Sequence, residues 1–320
     1  MSSKVEPFSI LGQEVQPGKG GRFTLEIAKL HTNTPIQVPV VVQHAKKKGP
    51  VLLLIAALHG DEINGTEIVR QFIKNGWNKP DKGTVVCIPV FNIFGFLNLS
   101  RELPDKRDLN RVFPGTKNGS LAGQFAYHFM TEIAPLVDIV IDLHTGSVQR
   151  NNFPQTRCDF KHERSMELCK TFGSPFILNS SLISKTIRAT MQKMGKDYIL
   201  FEGGKANRID DFIVQHGIDG IKRVMNYLGI RKFPVESHVE NIIELTESQW
   251  LRSPNSGVLN LKVKNGIRVE RGTLLATVSD PYGNFERAVK SPRGGFVICV
   301  NESPLVNKGD ALFHIGKLRY

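Results

Sequence analysis

Residues 51–58 form a run of eight consecutive apolar residues. The run is too short to span a bilayer and predicts a β-strand that is buried on both faces of a parallel sheet. Similar apolar runs predict further strands at residues 84–90, 137–143, 176–178 and 198–201. Helical apolar spacing predicts helices at residues 65–75, 120–134, 163–172, 184–194 and 210–228. The alternation over residues 50–230 therefore predicts an α/β fold, with a mostly parallel mixed sheet and helices on both faces.

Three other segments show neither the long apolar runs nor the helical apolar spacing described above. Residues 21–44 alternate apolar and polar side chains, which predicts antiparallel strands at a sheet edge. Residues 92–118 are rich in Asn, Gly, Pro and Arg and predict a long irregular segment, of a kind that often carries function. Residues 151–157 are predicted as a loop.

After about residue 240 the sequence changes to short strand-like segments and Gly-rich turns, with an internal repeat. Residues 252–258 match residues 290–296, and the matches continue further along at Val269/Val306, Gly272/Gly309 and Leu275/Leu312. We therefore expect a catalytic domain at residues 1–238 and a small all-β barrel-sandwich-like domain at residues 239–320. The repeat resembles biotinyl and lipoyl carrier domains, but no Glu-Ala-Met-Lys-like tetrapeptide is present, so only the architecture is expected.

The 320-residue chain has a formal net charge of +12. Lys46, Lys47 and Lys48 form the one tight basic run, and no basic motif interleaved with aromatic residues occurs. We therefore expect no nucleic-acid partner. A positive field also attracts small anionic substrates, which is the alternative use of this charge.

The four cysteines, Cys87, Cys158, Cys169 and Cys299, include no CxxC pair, and two of them lie in apolar strand-like runs. Free buried thiols in a reducing compartment are expected. The first six residues contain no apolar segment of a secretory signal. These observations predict a cytoplasmic protein with no membrane segment. A homo-oligomer is compatible with the sequence.

His59 and Glu62 follow the first apolar run and are separated by two residues. A catalytic zinc usually takes three protein ligands, often two His and one carboxylate, and keeps a position for water. One turn can supply two of these ligands, although an isolated HxxE tetrapeptide also occurs by chance. His144 ends another apolar run, and ligands of open α/β sheets bind at the carboxyl ends of strands. His144 is therefore the candidate third ligand.

Two carboxylates accompany these ligands. Asp142 lies two residues before His144, points the same way along the strand, and is a candidate for orienting that ligand by a hydrogen bond. A core salt bridge or a helix cap is its alternative role. Glu202 ends the run at residues 198–201 and precedes Gly203 and Gly204. It is placed to act as a general base and then as an acid, unless it only caps a helix.

The irregular segment contains Asp108-Leu109-Asn110-Arg111. The planar guanidinium of Arg111 matches a substrate carboxylate, and Asn110 adds a neutral hydrogen-bonding group. Arg101 and Arg107 are candidates for stabilising a developing oxyanion, or are surface arginines.

His59-xx-Glu62, Asp108-Leu109-Asn110-Arg111, Asp142-Leu143-His144-Thr145-Gly146 and Glu202-Gly203-Gly204 resemble, in order and rough spacing, the succinylglutamate desuccinylase/aspartoacylase family of zinc carboxypeptidase-like hydrolases. The resemblance covers residues 20–230, and the segment at residues 149–154 looks most like the broad "predicted deacylase" branch.

The resemblance implies one Zn²⁺ per chain held by His59, Glu62 and His144, with Glu202 as base and acid. It implies substrate binding by Asn110 and Arg111. Further arginines near the site are usual in the family, and Arg101, Arg157 and Arg188 fall in suitable regions. Co²⁺, Ni²⁺ or Mn²⁺ would also suit these ligand types.

Three functions remain open at this point. The expected one is a zinc-dependent deacylase that cleaves the amide bond of a small anionic N-acyl amino acid by metal-activated water. The second is a metallocarboxypeptidase that trims a peptide or an amino-acid tail. The third is a non-catalytic ligand-binding protein on the same scaffold, which the full set of His59, Glu62, His144 and Glu202 argues against.

Overall fold

The computed structural model describes residues 5–236 and 239–318. The first ten strands, numbered in chain order, are β1 Phe8–Ile10, β2 Gln13–Val15, β3 Gly20–Lys29, β4 Pro35–His44, β5 Val51–Ala56, β6 Thr84–Ile88, β7 Ile139–Gly146, β8 Arg150–Cys158, β9 Phe176–Asn179 and β10 Asp197–Lys205. The strands that follow are β11 Ile243–Arg252, β12 Gly257–Leu261, β13 Arg268–Val269, β14 Leu274–Ser279, β15 Glu286–Lys290, β16 Gly295–Asn301, β17 Leu305–Val306 and β18 Ala311–Leu318.

The helices all precede β11 within the described residues. They are α1 Ile63–Lys74, α2 Ile93–Leu97, α3 Leu121–Glu132, α4 Glu163–Phe172, α5 Ile187–Lys193 and α6 Asp211–Tyr227, with short 3-10 turns at Leu109–Arg111 and Ala134–Leu136. The Ser120 side chain caps α3 by accepting a hydrogen bond from the Gly123 amide. The predicted long helices are confirmed, with ends that shift by no more than three residues.

The predicted α/β fold with a mixed sheet is confirmed. The large sheet has the order β3-β4-β6-β5-β7-β10-β8-β9-β11-β18-β16-β13. Its centre is parallel, from β6 through β5 and β7 to β10. The two predicted antiparallel strands, β3 and β4, lie at one end. The parallel centre places the carboxyl ends of β5, β7 and β10 side by side.

Strand β5 separates two hydrophobic clusters, one on each face of the sheet. Leu53 and Ile55 pack in the cluster that contains residues of α3 and α5. Leu52 and Leu54 pack in the cluster that contains residues of α1, α4 and α6. This alternation is the two-residue period of a strand. It explains the continuous apolar run, because both sets of side chains face a helical layer.

The prediction of a loop at residues 151–157 is wrong, because these residues belong to β8. The strand is antiparallel to β10 on one side, with Leu200 opposite Arg157. On its other side it pairs with β9 and, near its start, with β16. This strand lacks the apolar periodicity by which the others were predicted, because several of its side chains are polar and face a cavity. The strand forms because its neighbours supply backbone partners that local propensity does not reveal.

The two repeat copies bind each other in a reciprocal way. The Ser253 amide donates to the Asp310 carbonyl at 2.8 Å, and the equivalent Ser291 amide donates to the Thr273 carbonyl at 2.9 Å. The equivalent Gly272 and Gly309 have φ values of 89° and 93°. This left-handed conformation favours glycine and explains why both copies have one there.

The C-terminal strands are not separated from the main sheet. Strands β11, β18 and β16 continue it, and β16 pairs with β8, while β15, β14, β12 and β17 form a second sheet. The division into domains at residues 1–238 and 239–320 stays a prediction, and the predicted boundary adjoins Ser237 and His238, which lie outside the described residues. All four cysteines are free and buried, as expected. In the described part of the chain, no helix is both long and apolar enough to cross a membrane.

Candidate active site

Neighbouring parallel strands bring the predicted site residues to one edge of the sheet. His59 lies three residues beyond the end of β5, and His144 lies near the end of β7. Glu202 of β10 pairs in register with His144. Adjacent strands are about 4.8 Å apart, so these side chains share one small region. The expectation that separate strand ends meet is confirmed.

Gly60 allows the turn after β5 to approach the backbone of helix α2 closely. A Cβ atom at this position would lie 1.8 Å from the Gly95 carbonyl carbon. The Gly60 amide instead donates to the Ser100 carbonyl at 3.0 Å. The contact ties the segment that carries His59 to the segment that carries Arg101.

His59, Glu62 and His144 converge around one carboxylate. His59 Nδ1 lies 2.8 Å from Glu62 Oε1, and His144 Nδ1 lies 2.9 Å from Glu62 Oε2. All three side chains are buried, and one ligand atom from each lies within 4.8 Å of the others. Two nitrogens and one oxygen in a buried group are the donor set of a catalytic zinc site.

Each imidazole uses its other nitrogen to bind a second carboxylate. His144 Nε2 lies 2.8 Å from Asp142 Oδ2, and His59 Nε2 lies 3.2 Å from Asp108 Oδ1. The Tyr198 hydroxyl also donates to Asp142 Oδ2, at 2.5 Å. Such contacts fix ring orientation and tautomer. With a proton on each Nε2, the Nδ1 lone pairs face Glu62, so a proton or a cation must lie between them.

The charges of this group shift the pKa values of its members. Burial alone would lower the pKa of His144, but the Asp142 and Glu62 carboxylates raise it well above its usual value. Burial alone would raise the pKa of Glu62, but His59 and His144 lower it well below its usual value. The carboxylates thus favour the protonated form of His144, and binding of a divalent cation to this group would release protons.

Arg101 reaches this group from the irregular segment. Its Nη2 donates to Asp108 Oδ2 at 2.8 Å and its Nη1 donates to Ser147 Oγ at 2.8 Å. The same Nη1 lies 3.1 Å from His59 Nδ1 and 3.4 Å from Glu62 Oε1. Asp108 therefore holds both His59 and Arg101, and these contacts place a guanidinium beside the candidate metal ligands.

Glu202 is held by two residues of β8. Asn152 Nδ2 donates to Glu202 Oε2 at 2.7 Å, and Arg157 Nη1 lies 3.5 Å from Glu202 Oε1. Asn152 is buried. Arg157, predicted to bind substrate, thus has a carboxylate partner within the protein.

The other predicted binding residues differ in how much of each side chain is free. Asn110 Oδ1 accepts from the Ile187 amide at 3.0 Å, which fixes the motif against the start of α5. Arg111 is exposed and donates from Nη1 to the Asn110 carbonyl at 2.7 Å. Arg188 is buried, and its Nη2 donates to the Ser181 carbonyl at 2.8 Å and to both oxygens of Ser180 at 3.1 Å. Arg188 therefore also supports the loop at residues 180–181.

A cavity of about 300 Å³ joins these groups. The predicted site residues that line it are His59, Glu62, Arg101, Asn110, Arg111, Asp142, His144, Arg157, Arg188 and Glu202. Arg107 is not among the lining residues, and its Nε lies 3.7 Å from Asp105 Oδ2. The predicted residues are thus brought together, while their roles remain predictions.

Sequence reasoning missed several residues of this cavity and its surroundings. Asp108 was visible at the head of its motif, but nothing in the sequence linked it to His59. Asn152 and Arg150 belong to the strand predicted as a loop. Trp250 comes from β11, more than ninety residues along the chain from β8. Only long-range strand pairing brings Trp250 into the cavity.

Comparison with known proteins agrees with this geometry. Residues 48–228 match the model of the succinylglutamate desuccinylase/aspartoacylase catalytic domain. An N-alpha-acetyl-L-2,4-diaminobutyric acid deacetylase of Halomonas elongata is 26% identical over 298 residues, which are 88% of this chain and 86% of that protein.

Solved structures share the fold over nearly the whole chain. The ectoine utilization protein EutE of Ruegeria pomeroyi has a TM-score of 0.85 at 22% identity, with 99% of each chain covered. A succinylglutamate desuccinylase of Silicibacter sp. TM1040 has a TM-score of 0.86 at 21% identity, with 98% of each chain covered. The matched catalytic domain spans more than half of the sequence and contains the converging His and Glu residues, so the chain belongs to the succinylglutamate desuccinylase/aspartoacylase family.

Proposed function

We propose that this protein is a zinc-dependent deacylase that hydrolyses the amide bond of a small anionic N-acylated amino acid. The proposal rests on how two imidazoles are held. His144 Nε2 contacts Asp142 and His59 Nε2 contacts Asp108. The Nδ1 atoms of both rings face the Glu62 carboxylate. The family supports hydrolysis of an acyl–amine bond, and N-acetyl-2,4-diaminobutyrate is the compound in the name of the Halomonas relative.

The donor set fits a zinc ion, which His59, Glu62 and His144 would hold, one per chain. When bound, the ion supplies Lewis acidity that lowers the pKa of a water molecule and polarises the acyl carbonyl. The Nδ1 atoms of His59 and His144 both face the Glu62 carboxylate, so these three side chains are the ones that would hold the ion.

Glu202 is the group that we propose for the proton transfers. It lines the same cavity as the triad and lies on the strand next to His144. As a general base it accepts a proton from the attacking water, and as a general acid it gives a proton to the leaving amine. Asn152 holds one carboxylate oxygen at 2.7 Å, which fixes the direction of the group during both transfers.

Arginines and Asn110 account for substrate binding. Arg101 Nη1, held beside the triad by Asp108 and Ser147, is placed to stabilise negative charge that develops on the acyl oxygen. Arg111 keeps most of its N–H donors for a substrate carboxylate. Asn110 supplies a side-chain amide at the cavity wall.

The test combines metal analysis with a substrate panel. We expect about one zinc per chain and turnover of at least one member of a panel of N-acetyl and N-succinyl amino acids. Glu202→Gln keeps the size of the side chain and should lower kcat by about 10²–10⁴ while zinc content and Tm stay unchanged. Full activity of Glu202→Gln would contradict the role of the base. Cleavage of peptides without cleavage of any N-acyl amino acid would indicate a carboxypeptidase.

A further inference from the structure

Five arginines line the cavity: Arg101, Arg111, Arg150, Arg157 and Arg188. Four of these have hydrogen-bond or ion-pair partners, as described above. In residues 5–236 and 239–318, the guanidinium of Arg150 has no hydrogen-bond or ion-pair partner and instead lies over the Trp250 ring, at 5.2 Å from its centroid. Its N–H donors are therefore available to a ligand.

Trp250 is itself held in place by His314. The two rings are stacked, with centroids 4.4 Å apart and planes at 6°. Trp250 and His314 are paired residues of β11 and β18. An arginine that stacks on a fixed aromatic ring keeps its planar fork in one orientation and loses less side-chain entropy when it binds a carboxylate. The C-terminal strands thus orient a cationic group at the cavity.

The position of Arg150 indicates which half of the substrate it faces. Arg150 and Asn152 pair with Asn301 and Cys299 of β16 in regular register, so their side chains lie on the same face of β8. Asn152 binds Glu202. In the proposed function, Glu202 gives its proton to the leaving amine. Arg150 therefore lies on the side of the cavity from which the amino-acid half departs.

We propose that Arg150, oriented by Trp250, forms a carboxylate-binding subsite that recognises a carboxylate of the amino-acid half of the substrate. The proposal rests on the proposed function for the direction of the substrate. A carboxylate accepts two parallel hydrogen bonds from a guanidinium, a geometry that a neutral amide does not match. The subsite therefore selects N-acyl amino acids with a free carboxylate over their amides.

A binding experiment tests the subsite without turnover. Trp77 and Trp250 are the two tryptophans, so Trp77→Phe leaves Trp250 as the only indole. In this background, succinate should change the Trp250 fluorescence, and the neutral isostere succinamide should not. Arg150→Gln should raise the succinate Kd by about tenfold or more, and Arg287→Gln, on the exposed strand β15, should leave it unchanged.

A kinetic experiment then tests recognition of the substrate. Arg150→Gln should raise KM about tenfold for the best N-acyl amino acid, with kcat within about twofold, and Trp250→Leu should raise KM in the same direction. Equal succinate affinity in Arg150→Gln and the parent would overturn the subsite. Because binding is measured without catalysis, a protein that binds succinate through Arg150 but hydrolyses nothing would contradict only the proposed function.

Discussion

Asn152 donates a hydrogen bond of 2.7 Å from Nδ2 to Oε2 of Glu202. The pair joins β8 to β10, and β8 is in turn bound to β16 of the C-terminal region through Asn152 and Cys299. The direction of the Glu202 carboxylate thus depends on strands far apart in the sequence. A C-terminal segment with no candidate ligand or base of its own still supports the site.

We expect Asn152→Ala to lower kcat by about tenfold to a hundredfold, with a smaller change in KM. A hydrogen bond to a charged group contributes about 1.5–3 kcal/mol, and each 1.4 kcal/mol corresponds to about tenfold in rate. Steady-state kinetics measures the change. Asn151→Ala is the matched control, because Asn151 Nδ2 binds Glu302 Oε1 at 2.7 Å and not Glu202. Equal loss of activity in both variants would indicate a general effect on β8.

Asp142→Asn should weaken zinc binding by about 10–100-fold, since Asp142 orients the ring of His144 and raises its basicity. Competition with a chromogenic chelator measures the affinity. Asp138→Asn serves as the control, because Asp138 Oδ2 accepts from the Val51 amide and does not line the cavity. An unchanged zinc affinity in Asp142→Asn would show that His144 needs no such support.

Removal of zinc should lower Tm, because a ligand that binds only the folded state stabilises it by mass action. At a zinc concentration about a thousand times Kd the stabilisation is about 4 kcal/mol, which corresponds to a Tm difference of roughly 5–10 °C. Scanning calorimetry with EDTA and after zinc is added back measures it. His144→Ala should show no zinc-dependent shift, and a full shift in this variant would place the metal elsewhere.

His314 should make the metal-free protein less stable in acid. Burial, then Arg157 and Arg150, lower the pKa of His314 to about 3, against 6.5 for an unperturbed His. Between these values the unfolded chain binds a proton that the folded chain does not, so stability is present above pH 6.5 and is lost as the pH falls toward 3.

The variant His314→Phe retains a ring for Trp250 and removes the titration. From pH 6.5 to pH 5.0 the parent should lose about 1.6 kcal/mol more unfolding free energy than the variant. Urea unfolding of both proteins in EDTA at the two pH values measures the difference, and the metal ligands contribute equally to both. Parallel pH profiles would show that His314 is not held neutral.

The sequence by itself determined the α/β framework and most of the candidate site. The period of the apolar residues is physically local, so β5, β7 and the long helices could be predicted from it. His59, His144 and Glu202 could be assigned to one edge because parallel strands end together. The motif at residues 108–111 marked Asn110 and Arg111, although not the bond from Asp108 to His59.

Only the tertiary structure decided how the candidate residues are held and which others join them. Residues 151–157 contain no apolar period, and they form a strand because β10, β9 and β16 satisfy their backbone groups. That strand presents Asn152 to Glu202 and Arg150 to Trp250. These contacts join residues 50 to 100 positions apart, and such long-range pairing depends on packing that no local pattern encodes.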